Sequence, residues 1–189
     1  SRVKRRSWVS PIAAVRAAIS LRHDFESEGV TSPAMADTVP MDEPDEKDWT
    51  WVLEEVCGEC SYDVRYFDRS SIGQLIRENV AEWVGVLEAE PDGLRQRPRV
   101  EKWSPLEYGA HIRDVYELYD VRLSLMLEQD APHFPNWDQD ATAVEKNYGA
   151  ADPAAVAEEL VMWGERLATR FDSVSGETWT RTGFRSDGA

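Results

Sequence analysis

One run of nine residues concentrates side chains able to do chemistry: Trp103-Ser104-Pro105-Leu106-Glu107-Tyr108-Gly109-Ala110-His111. Glu107 and His111 are four residues apart and Asp114 follows three later, so on a helix a carboxylate, an imidazole and a second carboxylate fall within two turns. On a helical wheel His111 lies about 60° from Tyr108, beside Val115, Leu118 and Arg122, at the edge of the apolar stripe. The ring therefore faces inward, or nearly so. Spacing alone leaves open whether it makes an ordinary hydrogen bond in the core or serves as a ligand. Glu107 and Asp114 are within reach to accept from the ring, although carboxylates at such spacings are more often solvated residues of a helix face.

Three further residues invite a chemical reading. Cys57-Gly58-Glu59-Cys60 has the spacing of half a structural zinc site, yet no second cysteine or histidine pair completes it. It reads first as an inert turn, with metal capture next; a redox pair would want a helix N-terminus and a thioredoxin-like sheet, neither of which is evident. His133, in a loop, is a substitute ligand at best and otherwise an idle surface histidine. The eight tryptophans read as core and loop packing.

The elements that must position these residues are helices. Ser104, Pro105 and Glu107 supply an N-cap, a proline at the first helical position and a capping-box glutamate in one run. Tyr108, Ile112, Val115, Tyr119, Leu123 and Met126 then continue one stripe, which predicts a long helix over about 104–129. Before it, Ile72, Leu75, Ile76, Val80, Trp83, Val84 and Leu87 predict a helix over about 69–89, with N-cap candidates in Asp68 to Ser71. After it come a loop from Pro132 to Asp140, a short helix over Asp140–Tyr148 closed by Gly149, and a third long helix from Asp152-Pro153 to about residue 173. Strand-like alternation is nearly absent, and Trp179 to Ala189 reads as a loop. The expectation is an all-α domain. Three long amphipathic helices make an awkward bundle, because four is the common way to bury such stripes around one core.

Composition bounds the function. A chain of 189 residues with 42% apolar content fits one domain plus a tail. A net charge of -15 argues against nucleic acid and anionic lipid as partners. No apolar run reaches about 18 residues, so no membrane span is expected. Two cysteines are too few for a disulfide scaffold, and a cytoplasmic setting is expected. Residues 1–34 carry a net charge of +3 against -18 for the remainder. That contrast marks residues 1–48 as a disordered or non-domain extension and residues 49–189 as the helical domain.

The segment from Trp103 to His111 resembles the start of the second bundle helix in the DinB-like superfamily, which includes mycothiol-dependent maleylpyruvate isomerases and bacillithiol transferases. The tryptophan-bearing first helix ending at Glu88, the loop Phe134-Pro135-Asn136-Trp137-Asp138 and the rhythm from Ala154 to Phe171 extend the likeness over about residues 49–189. The resemblance implies an antiparallel four-helix bundle holding a divalent metal, zinc or nickel, on three histidines. The first of these matches His111. The other two normally sit on a fourth helix, and Ala189 comes before any such helix, so the implied site is incomplete here and the implied bundle has three of its long helices. A three-histidine site leaves one metal position open for a thiol, which the cation turns into a thiolate nucleophile. The implied function is a metal-dependent S-transferase acting on a low-molecular-weight thiol and an electrophile, inactive as this chain alone, with a homodimer an open question. The rival reading is a catalytically silent helical module that binds a partner helix or self-associates through an exposed apolar groove.

Overall fold

The computed structural model describes residues 55–58, 61, 63–66, 68–89, 93–100 and 102–186. The reading of residues 1–48 as an extension lies outside these residues, as does Cys60.

Asp68 accepts from Ser70 N at 2.9 Å and caps a 3-10 turn over Arg69–Ser71. That turn runs directly into α1, Ile72–Glu88, whose stripe of Ile72, Ile76, Val80, Trp83 and Leu87 is buried. Helix α2, Pro105–Glu128, begins where its signals predict. Ser104 Oγ accepts from Glu107 N while Ser104 N donates to Glu107 Oε2 at 2.8 Å, so the capping box is closed in both directions. A short β1, His133–Pro135, leads into α3, Gln139–Glu145, and α4 spans Pro153–Asp172 behind its Asp152 cap.

Helix α4 lies against both other long helices, burying Val156, Leu160, Leu167 and Phe171 in two clusters. The larger cluster holds Ile76, Val80, Trp83, Ile112, Tyr116 and Leu160; the smaller gathers Leu87, Trp103, Leu106, Ala110, Tyr148 and Val156 around the start of α2. Close approach is enforced at Gly164, where a Cβ would stand 2.3 Å from Val80 Cγ2. Ion pairs tie the same surfaces together. Arg77 of α1 grips Glu165 and Asp172 of α4, and the fully buried Asp120 of α2 receives Arg166 and Arg170 of α4, each Nε at 2.7 Å.

The architecture is mainly helical and fits a DinB-like bundle, with three long helices and a short one among the described residues. Two local expectations need correction. Segments read as loops contribute β1 and β2, Phe184–Ser186, which pair in parallel with Phe134 opposite Arg185. Each strand is three residues long, too short to show alternation, and its partner is about 50 residues away. The short helix also stops at Glu145 instead of reaching Tyr148, because Asn147 turns the chain with φ 48° and a 3-10 turn over Tyr148–Ala150 follows.

Candidate functional site

The site is built at the head of α2. The capping box fixes where the helix starts, and one turn later His111 emerges between two tryptophans. The Trp103 ring lies 5.1 Å from the imidazole at 58°, and the Trp137 ring stacks on it at 5.4 Å and 9°. Trp103 is buried against Tyr108 and Tyr148, and Trp137 is anchored by its indole N–H to Thr142 Oγ1 at 2.8 Å. Thr142 belongs to α3, whose Asp138 cap accepts from Ala141 N, so the loop and the short helix together hold the second indole on the ring.

The imidazole is partly buried and electrically neutral. Removal from water depresses its pKa to about 4, against an opposing pull from Asp114. Its Nδ1 is shielded from solvent and has no hydrogen-bond partner among the described residues. A buried polar atom left in that state costs free energy, and most such atoms in folded proteins are satisfied. Among the described residues Nδ1 thus lacks the partner that a core histidine ordinarily has. His111 presents an unprotonated ring, held on both faces, with a nitrogen still to be paired.

The flanking carboxylates behave differently from the sequence expectation. Neither is solvated, and neither bonds the ring. Glu107 is buried and spends both oxygens on Arg97, at 2.5 and 2.9 Å, and on Ser104 N. Burial pushes its carboxyl upward, but the Arg97 and Ser104 bonds more than offset this and leave its pKa below the ordinary value. Asp114 is equally buried, accepting Tyr148 OH at 2.5 Å and Arg113 Nε at 2.8 Å, with Lys146 Nζ at 3.0 Å. Burial and Asp114 together raise the Tyr148 pKa well above that of free tyrosine. These contacts come from Arg97, Lys146 and Tyr148, residues that periodicity on α2 alone does not connect to it.

The remaining sequence candidates stand apart. His133 is exposed on β1, with its ring stacked on Phe184 at 5.1 Å. Cys57 is partly buried against the larger core cluster. Among the described residues no group of three or more histidine, cysteine, aspartate or glutamate side chains is arranged to hold a metal ion. His111 fits as one donor of such a set, and the described residues do not complete it. Among them, too, no helix is long and apolar enough to cross a membrane.

The fold and site define a mainly helical bundle with a tryptophan-flanked histidine nearly two turns inside its second long helix. A family model for the DinB superfamily matches residues 74–189, well over half of the chain, and the chain belongs to that superfamily. No curated protein and no solved structure matches it.

Proposed function

We propose that this protein is a small-molecule enzyme of the DinB superfamily that uses a divalent metal, zinc or nickel, to activate a low-molecular-weight thiol for transfer to an electrophile, with His111 as one metal ligand. The observation that carries the reading is the placement of the His111 ring, wedged between Trp103 and Trp137 with Nδ1 buried and unpaired among the described residues. A metal ligand must be an unprotonated imidazole, and binding is weakened by any proton it has to displace. A ring whose pKa is depressed to about 4 carries no such proton at neutral pH.

The other ligands on this reading come from outside the described residues. The metal would supply Lewis acidity and an open position at which a thiol loses its proton. The chain's own part is positional. Trp103 and Trp137 fix the plane of the ring and keep water from its faces, while Tyr148, Arg113 and Lys146 engage the Asp114 carboxylate.

The test is metal retention by the full-length gene product after loading with zinc or nickel and exhaustive dialysis. About one equivalent is expected in the wild type and none in His111→Ala. Unchanged metal content in the variant would refute the assignment. It would favour the rival reading of a silent helical module, which has its own support in the half-exposed Val161 and Met162 beside Leu127, an apolar strip between α2 and α4. That rival predicts dye binding or self-association that His111→Ala leaves unaltered.

A further inference from the structure

Between the buried Phe134 and Tyr148 the chain crosses the head of α2 with a single buried residue, Ala143. This stretch is built as one unit. Trp137 donates its indole N–H to Thr142 Oγ1 at 2.8 Å, Thr142 Oγ1 donates to Asp138 O at 2.7 Å, and Asp138 accepts from Ala141 N at 2.9 Å to cap α3. The indole that covers His111 is therefore fastened to α3. Both ends of the stretch are held. β1 pairs with β2, and Arg122 donates to Pro135 O at 2.9 Å. On the far side Tyr148 is buried and donates to Asp114, and Asn147 before it turns the chain with φ 48°. Fixed ends around a short exposed element place the backbone rotation of any movement at its two termini.

The grip on α2 includes Trp137 stacked on His111 at 5.4 Å and 9°, Ala143 in the smaller core cluster, and Lys146 Nζ at 3.0 Å from Asp114 and 3.8 Å from Glu117. The Lys146 side chain is 44% exposed, so its ion pair is screened by salt and readily exchanged for water. Asp114 does not depend on that pair, because Tyr148 OH and Arg113 Nε hold the same carboxylate. The pair can therefore open without leaving a buried charge alone.

We propose that residues 136–147 are a hinged strap that opens from α2 while the bundle stays folded, with the Lys146–Asp114 pair as its latch and Trp137 as the plate it lifts from His111. Few buried side chains mark segments that open at a lower free energy than the whole fold. The closed strap also lies on a ring whose Nδ1 is buried and unpaired among the described residues, a cost that hydration on opening relieves. Resting on the proposed function for its consequence, the strap is the gate through which a metal or a thiol reaches the imidazole. By the same linkage, a ligand that binds the ring with Trp137 lifted holds the strap open.

The full chain, stripped of metal with chelator, is followed by NMR hydrogen exchange at pH 7. The reporters are the Trp137 indole N–H and the backbone N–H of Thr142 and Lys146, compared with the N–H of Leu160 and Leu167 in α4, each relative to an unstructured peptide. The strap reporters should exchange together and be at least about tenfold less protected than those of α4. Lys146→Met, at an exposed position, should speed them about fivefold and leave α4 unchanged. High salt should speed the wild type towards the variant and leave the variant nearly unaffected. Gly164→Ala, which loosens α4 from α1, should leave the strap rates as they are. Strap reporters as protected as those of α4, an unchanged rate in Lys146→Met, or equal acceleration by Gly164→Ala would each overturn the proposal. A strap that opens in this way in a protein retaining no zinc would leave the inference standing while the proposed function fell.

Discussion

At the scale of single residues, protonation separates His111 from an ordinary histidine. An unfolded chain takes up a proton on this ring below pH 6.5, whereas the folded protein refuses it until about pH 4. Between those limits the unfolded state binds more protons, so this residue's contribution makes stability fall as pH falls through the window, levelling off below it. The depression from 6.5 to about 4 corresponds to at most about 3 kcal/mol. His111→Phe, which keeps an aromatic ring between the two indoles, should remove that slope. Urea unfolding of both proteins from pH 7 to pH 4 checks it: the stability gap between them should shift in favour of the variant by that order, and a constant gap would show that the ring titrates normally. Tyr148 supports a second residue-scale expectation. Its hydroxyl is one of the donors holding the buried Asp114 carboxylate, so Tyr148→Phe should cost about 1–3 kcal/mol in the same measurement at pH 7.

At the scale of elements, legibility followed locality. The start of α2 could be read to within a residue because Ser104, Pro105 and Glu107 act within four positions of each other, and the inward placement of His111 followed from the same register. The burial of Glu107 and Asp114 was not readable. Charged side chains look like a solvated helix face until their partners are known, and Arg97, Lys146 and Tyr148 approach through loop geometry that no helical period encodes. Arg122 was visible on the His111 face, but its contacts with Pro135 O and the Phe134 ring depend on β1, whose pairing with β2 spans about 50 residues with three residues apiece. Small residues carried a further signal within α4. At Gly164 the helices approach so closely that Gly164→Ala would drive a Cβ into Val80, with Tyr116 ring atoms at 3.5 Å behind it. Despite the higher helix propensity of alanine, a loss of about 1–3 kcal/mol is expected in thermal unfolding, and a gain would mean that α1 and α4 sit further apart.

At the scale of the whole molecule, α4 anchors both other long helices and the C-terminal segment is stitched back onto the end of α2. Arg181 donates to the carbonyls of Met126 and Gln129, Phe184 N donates to Pro132 O at 2.8 Å, and Trp179 stacks on Phe171. This leaves one face of α2 with His111 between Trp103 and Trp137 at its head and Arg122, bonded to Pro135 O, nearer its end. Superfamily membership sets the bundle, and the proposed chemistry depends on that imidazole binding a metal. Nitrogen NMR of the ring in the full-length protein at pH 7 tests this most directly. The account predicts a neutral imidazole whose nitrogen resonance moves to a new position at one equivalent of zinc and returns on chelation; a ring already protonated, or one whose signals ignore the metal, would contradict it.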